Sequence, residues 1–359
     1  MKLLYISNGI NGSGGLERVL AVKASYLAEY YDYEVHILCL NDTDKNPFYT
    51  FSSKIHFHSI NVKGNPIAYL LAYKKGIQNI VNQIQPDIIS VCDDGLKGFF
   101  LPKIIQTKAK WIYERHASVN LNTNQSLKGK IVRKLMNSQI KNFSKFVVLT
   151  PTNISEWNKP NVIAIPNPLS FSSDKENQLE QKRVIVVGSH SYNKGYDLLL
   201  EIWSKIHLEF PDWNLAVFGK IDKEETFIKQ AKELKLKNID FYSPVQNIKD
   251  EYLNSSILLM TSRSEGFGMV LIEAMACGVP CVSFDCPSGP GDIISNNEDG
   301  FLIENGNIEQ FSEKLKLLIS DFELRKKMGR AGKENVKRYL PDQIVSQWNE
   351  LFLGLKNSD

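Results

Sequence analysis

The chain has 359 residues, enough at roughly 150 per domain for two domains with full cores, and its 43% hydrophobic and 23% charged residues are those of an ordinary globular protein. A net charge of +3 is too small for wholesale nucleic-acid binding, so no nucleic-acid partner is expected and binding must be argued locally. No apolar run reaches the roughly 18 to 20 residues of a membrane span, and the opening Met1–Asn8 is too short and too polar at its end for a signal peptide, so a soluble cytoplasmic protein is expected.

In chain order, short β-branched runs come first at Leu3–Ser7, Val35–Leu40, Ile55–Ile60, Asp87–Cys92, Lys110–Glu114 and Phe146–Leu149. Amphipathic stretches at Leu16–Ala28, Ile67–Ile84 and Ser126–Ile140 separate several of them, an alternation that predicts a parallel sheet covered by helices. Ile165–Pro168 and the polar Ser170–Gln181 then interrupt the pattern and mark a domain boundary, with residues 1–168 before it and 169–340 after. Strands are predicted again at Arg183–Val187, Leu215–Phe218, Ile239–Tyr242, Ile257–Thr261 and Val279–Phe284, giving a second α/β layer. Ile308–Ser320, Phe322–Tyr339 and Asp342–Leu355 read as helices, with a break at Pro341 and the last helix, in 341–359, expected to pack back on the first domain. Open α/β sheets bind ligands beyond the carboxyl ends of their strands, so two such domains facing each other would enclose a cleft.

The five cysteines, Cys39, Cys92, Cys277, Cys281 and Cys286, lie in mostly apolar surroundings and read as reduced thiols. Three crowd between 277 and 286, but without a nearby histidine or a CxxC pair they do not make a zinc site. The loop Gly9–Arg18 after the first strand carries Gly12, Gly14 and Gly15, which let the backbone approach a phosphate or a bulky sugar, or simply form a flexible turn. Its spacing is not that of a dinucleotide fingerprint.

The most informative run is Thr261–Pro280, where a glycine-rich loop opens a helix and Glu265 and Glu273 stand with seven residues between them. Free amides and the positive end of the helix dipole make an anion site there, and two flanking carboxylates suit hydroxyls. A ligand with both phosphate and hydroxyls, a nucleotide-sugar, fits this pairing.

Gly14–Arg18, Glu114–His116, Ile165–Pro168, Val187–Asp197, Glu265–Pro280 and Pro287–Pro290 together resemble, in their ordered spacing, the retaining glycosyltransferases of family four. The resemblance implies an α/β GT-B architecture, two Rossmann-like domains facing each other across a cleft, the first binding the acceptor and the second the nucleotide-sugar donor. It implies that Glu273 binds the ribose hydroxyls and Glu265 those of the donor sugar, while Gly266, Phe267, Gly268, Met269 and Val270 bring backbone amides to the sugar and pyrophosphate. Lys194 would neutralise the departing diphosphate, where charge develops in the transition state. His116 looks like the histidine beside the anomeric centre, and Gly14 and Gly15 belong to the donor site. No cofactor or metal is implied, and uridine diphosphate is the first nucleotide to expect.

Two positions depart from the family pattern. Ser189 stands where an arginine usually assists the lysine, so that His190 or Arg263 compensates, or the diphosphate rests on Lys194 and backbone dipoles. Ser243-Pro244 replaces a glycine near the base pocket, leaving base contacts around Val245 and packing by Tyr242 or Pro244 open. Asp93-Asp94 imitates a metal pair, but adjacent acids on a strand end point apart and read as loop or acceptor-facing residues.

Leu127–Lys145 carries Lys128, Lys130, Arg133, Lys134, Lys141 and Lys145 between apolar residues, which suits an anionic membrane surface, a lipid-linked diphosphate acceptor, or a plain solvated helix. Peripheral contact with the inner face of the cell membrane, and a glycan or lipid-linked acceptor in surface polysaccharide, lipopolysaccharide or glycoconjugate synthesis, are the corresponding expectations. Two other classes remain open. A nucleotide-sugar epimerase of the same fold would release nucleotide without an acceptor, and a non-catalytic carbohydrate-binding scaffold is opposed by Glu265, Glu273, Lys194 and His116 occurring together.

Overall fold

A computed structural model of the protein describes residues 1–41, 46–118 and 127–358. It divides into two compact units, Met1–Ser170 with Pro341–Asp359, and Phe171–Leu340.

In the first unit, β1 (Lys2–Ser7), β2 (Glu34–Leu40), β3 (His56–Ile60), β4 (Ile88–Cys92), β5 (Lys110–Glu114), β6 (Lys145–Val148) and β7 (Val162–Ala164) form one sheet, in the order β3-β2-β1-β4-β5-β6-β7. Every pairing is parallel. Leu3, Leu4, Tyr5 and Ile6 are all buried, as a strand covered on both faces requires. The helices are α1 (Gly15–Tyr30), α2 (Pro66–Ile84), α3 (Leu101–Ile104), α4 (Leu127–Gln139), α5 (Pro151–Trp157) and, from the far end of the chain, α13 (Pro341–Asn357). Asn65 caps α2 by accepting from the amides of Ile67 and Ala68, with Pro66 as the first helical residue. The buried Tyr73, Ile77, Val81 and Ile84 of that helix belong to one core with Leu4, Ile6 and Leu38.

In the second unit, β8 (Arg183–Val187), β9 (Asn214–Phe218), β10 (Ile239–Tyr242), β11 (Ile257–Met260), β12 (Cys281–Asp285) and β13 (Gly300–Glu304) form a parallel sheet in the order β10-β9-β8-β11-β12-β13. Its helices are α6 (Tyr196–Ser204), α7 (Thr226–Glu233), α8 (Ile248–Leu253), α9 (Met269–Ala276), α10 (Pro290–Ile293), α11 (Ile308–Ser320) and α12 (Phe322–Asn335). Leu199, Ile202 and Trp203 of α6 share a core with Val184, Val186 and Leu215.

Strand order reverses between β1 and β4 in one sheet and between β8 and β11 in the other. At such a reversal the loops leaving neighbouring strands run apart and open a crevice at the carboxyl ends. The chain's glycine-rich and charged motifs follow these four strands. Two strands were not anticipated by the sequence pattern: β7 has only three residues, and β13 begins at a glycine after a polar stretch. Pro341 opens the last helix as its first residue, where its missing N–H costs nothing. Ser126, expected to begin α4, lies outside the described residues.

Candidate active site

The loop after β8 turns through Gly188–Ser191 into one 3-10 turn, Tyr192–Lys194, which the Ser191 side chain caps by accepting from the Lys194 amide. Gly195 then starts α6 at φ +67°, and a Cβ there would overlap the Thr261 carbonyl oxygen at the end of β11. Only glycine permits this approach. Thr261 Oγ1 donates to the Lys194 carbonyl at 3.0 Å, the Arg263 amide to the Asn193 carbonyl at 2.8 Å, and Asn193 Nδ2 to the Ser264 carbonyl at 3.0 Å. The two loops are thus joined by short polar contacts on both sides of the reversal.

This joint brings Lys194 to Glu265: Nζ donates to Oε1 at 2.7 Å, and the two side chains are 28% and 10% exposed. An ammonium has three donors, so one bond to Glu265 leaves two for another anion. Gly266 is half-buried and Phe267 buried, its ring edge-on to Tyr339 at 5.4 Å. Gly268 at φ +103° turns the chain into α9. Among the described residues, the amides of Phe267, Gly268, Met269 and Val270 have no backbone acceptor, as the first turn of a helix dictates. Gly289 presses on this loop so closely that a Cβ would overlap the Phe267 carbonyl.

Glu273 sits one turn into α9 and is wholly buried, not solvated. Tyr252 of α8 donates its hydroxyl to Glu273 Oε2 at 3.1 Å. Tyr252 was invisible to sequence reasoning, because the contact joins residues on two helices whose patterns each read as ordinary packing.

The candidates near Ser189 are placed differently from one another. Ser189 is exposed. Arg263 gives its guanidinium fork to Asp197, at 2.8 Å and 2.6 Å, donates to the Tyr192 carbonyl at 2.6 Å, and lies 3.8 Å over the Tyr192 ring. His190 is buried beside Tyr196, Phe241 and Phe227, and among the described residues neither ring nitrogen has a hydrogen-bond partner. Burial lowers its pKa against the opposing pull of Asp222, which keeps the imidazole neutral at neutral pH. Val245 is half-buried in the loop after β10, and Tyr242 stacks on Phe218 at 4.7 Å.

In the first unit, Gly14 ends the loop after β1 in extended backbone and Gly15 begins α1; both are exposed. The Glu17 carboxylate lies directly over Gly12 and Gly14, so side chains at those positions would meet it. At the end of β5, Glu114 is buried among three partners: Lys23 Nζ on Oε2, Ser90 Oγ donating to Oε1 at 2.6 Å, and His116 Nε2 at 3.1 Å from Oε2. Burial pushes its pKa up, but Lys23 and then His116 outweigh this and hold the carboxyl at about 2. His116 is thereby oriented through Nε2, and its Nδ1 has no hydrogen-bond partner among the described residues. Lys23 stands on the apolar stripe of α1 between Leu20 and Leu27, and a lysine in that stripe is the signal that could have revealed it.

Asp94 Oδ1 accepts from the amides of His116 and Ala117, at 2.9 Å and 3.1 Å, and so shapes the histidine's loop. Asp93 turns inward, 5% exposed, accepting from Tyr113 and from the Gly95 amide. The two acids do point apart, but Asp93 faces the core. All five cysteines are buried. Among the described residues, Cys92, Glu114 and His116 have the spacing of a metal-ligand group, yet the Lys23 ammonium already occupies the carboxylate and burial raises the Cys92 pKa well above the usual thiol range.

On α4, Leu127, Ile131 and Leu135 form an exposed row four residues apart, flanked by exposed Lys128, Lys130, Arg133 and Lys134. No helix among the described residues is long and apolar enough to cross a membrane.

The family described as glycosyl transferases group 1 matches residues 170–335, and that described as glycosyl transferase 4-like matches residues 17–148. An uncharacterized glycosyltransferase of Haemophilus influenzae is 29% identical, over 98% of this chain and 99% of its own. The amylovoran biosynthesis glycosyltransferase AmsD of Erwinia amylovora is also 29% identical over the same shares, and the lipopolysaccharide 1,6-galactosyltransferase of Escherichia coli is 25% identical over 87% of each chain. Among solved structures, sucrose-phosphate synthase of Thermosynechococcus elongatus superposes with a TM-score of 0.86 at 16% identity, over 100% of both chains. TarM of Staphylococcus aureus, a variant solved with fondaparinux, alpha-GlcNAc-glycerol and UDP, gives 0.81 at 16% identity over 99% of this chain and 100% of its own. With two parallel α/β sheets and family matches over both, the chain belongs to the GT-B glycosyltransferases of family four, the glycosyl transferases group 1.

Proposed function

We propose that this glycosyltransferase retains anomeric configuration and moves a sugar from a nucleotide-diphosphate donor, first of all a uridine diphosphate sugar, to a hydroxyl of a glycan or lipid-linked acceptor in surface polysaccharide or lipopolysaccharide synthesis. The observation that carries the reading is the Lys194–Glu265 pair at 2.7 Å beside the open amides of Phe267 to Val270. An ammonium, a helix start and a carboxylate side by side match a group that is diphosphate at one end and polyhydroxylated at the other. The names of the Erwinia and Escherichia relatives support the acceptor class, and UDP in the TarM structure supports the nucleotide.

In this reading residues 169–340 hold the donor and residues 1–168 the acceptor. Lys194 and the α9 amides take the charge that grows on the leaving diphosphate as the sugar's C1–O bond breaks. Neither His190, neutral in its apolar pocket, nor Arg263, committed to Asp197, replaces the missing arginine at Ser189, so the amides carry more of the anion. That arrangement does without a metal ion. The acceptor oxygen attacks from the face the diphosphate leaves, and its proton passes to a phosphate oxygen. Glu265 holds sugar hydroxyls, His116 contacts the reacting sugar with Glu114 fixing its ring, and Glu273, steadied by Tyr252, accepts from the ribose. The basic, leucine-lined face of α4 is suited to an anionic lipid surface at the inner face of the membrane.

A panel of nucleotide-sugars with lipid-linked and glycan acceptors tests this, with product configuration read by NMR. Lys194→Met is expected to lower kcat about 100-fold or more with donor affinity changed far less, while Glu273→Ala weakens donor binding. Undiminished turnover by Lys194→Met, or an inverted product, overturns the assignment.

A further inference from the structure

Three of the chain's six histidines gather at one edge of the first sheet. In the parallel pairing of β2 with β3, His36 stands opposite His56 and Leu38 opposite His58. Side chains two apart on a strand share a face, so His36, His56 and His58 all project from the same side. His36 Nδ1 lies 2.9 Å from His58 Nε2, and the His56 ring stacks on His36 with centroids 4.8 Å apart. The other nitrogen of His36, Nε2, is 3.1 Å from Glu34 Oε1, a carboxylate that Lys2 approaches to 3.4 Å.

A carboxylate only accepts hydrogen bonds, so Nε2 of His36 carries its proton, and the neutral ring turns the Nδ1 lone pair toward His58. This carboxylate–imidazole pairing is how metal-ligating histidines are oriented from outside the coordination sphere. Two nitrogens at this separation, each about 2.0–2.1 Å from a shared ion, subtend roughly 90° at it. A tetrahedral zinc ion needs its ligands farther apart, whereas neighbouring positions of tetragonal Cu2+ or Ni2+ meet at that angle.

We propose that His36 Nδ1 and His58 Nε2 form a Cu2+ or Ni2+ site at the β2–β3 edge, with Glu34 orienting His36 and the exposed His56 turning in as a third nitrogen. Binding replaces the hydrogen bond between the two rings by two metal–nitrogen bonds, with the His58 proton moving to Nδ1. The ion ties the edge strand to its neighbour, adding a side-chain link to the backbone ladder.

Untagged full-length protein titrated with copper sulfate, followed by EPR and thermal unfolding, tests the site. The expected result is one Cu2+ per chain with hyperfine coupling to at least two nitrogens, and a Tm raised by roughly 2–6 °C when free copper is well above its Kd. His58→Gln loses both the spectrum and the shift. Glu34→Gln, a half-exposed change that leaves the fold intact, weakens binding about 10-fold or more. The proposal is overturned if wild-type protein binds no copper at 100 µM, if the nitrogen-coupled spectrum survives in His58→Gln, or if it disappears instead in His116→Ala, which would assign the ion to Cys92, Glu114 and His116.

Discussion

Glu114 and Asp93, buried residues of the first unit, are driven in opposite directions by their neighbours. Burial raises Asp93 to about 6, with the Gly95 amide, the Tyr113 hydroxyl and Lys97 only partly opposing it. Burial acts on Glu114 too, but Lys23 and His116 prevail and hold it at about 2. The signs of the two contributions therefore differ. Asp93, raised above its usual 3.8, adds stability that is complete below that value and lost as pH rises through about 6. Glu114, lowered from 4.5, adds stability that is complete above 4.5 and lost as pH falls toward about 2. Each difference corresponds to about 3 kcal/mol at most. Urea unfolding should show an acid limb, with stability falling below about pH 4, whereas Asp93 is read as the difference between wild type and variant, because the lowered His36, His58, His190 and His207 act against it over the same range. Asp93→Asn should change the slope of stability against pH between about 4 and 6 and gain roughly 1–3 kcal/mol near pH 8; an unchanged slope between about pH 4 and 6 would reject the account. At this scale the sequence showed the strand-end position of His116, while Lys23 and Asp94, which fix its surroundings, are separated from it by long stretches of chain and meet it only through the sheet order.

Among the elements, the loops after β8 and β11 set the candidate donor site, and Gly195 is where they touch. Its φ of +67° and its contact with the Thr261 carbonyl leave no place for a side chain. Gly195→Ala should cost about 2–4 kcal/mol, and the displaced turn should carry Lys194 away from Glu265. Denaturation midpoints and turnover should fall together in this variant. Normal stability with normal turnover would show that the two loops are not coupled through this residue. The elements themselves are mostly legible: Lys110–Glu114 and Arg183–Val187 are predicted with their observed limits because parallel strands covered on both faces have apolar interiors, and Ile239–Tyr242, an edge strand, because its exposure alternates. β7 and β13 escaped because a three-residue edge strand and a strand starting at glycine carry too little of that signal.

At the scale of the whole chain, the last helix completes the unit built by the first 170 residues. Ile344, Val345, Trp348 and Phe352 are buried, Phe352 lies 6.3 Å from Tyr33, and Tyr33 donates to Asn349 at 2.6 Å. Lys23 reaches across this contact: its ammonium is 3.9 Å over the Trp348 ring while it pairs with Glu114. The indole face supports a buried cation that would otherwise have one partner fewer. Trp348→Ala should therefore do two things that a simple cavity would not combine. It should cost about 3–5 kcal/mol in unfolding free energy, and by admitting water to Lys23 it should weaken the hold on Glu114, moving the acid limb of the stability profile to higher pH. Trp348→Phe keeps a ring over the ammonium and should restore most of the acid limb while recovering only part of the lost stability. An acid limb that stays in place in Trp348→Ala would separate the C-terminal helix from the Glu114–His116 pair and confine its role to packing.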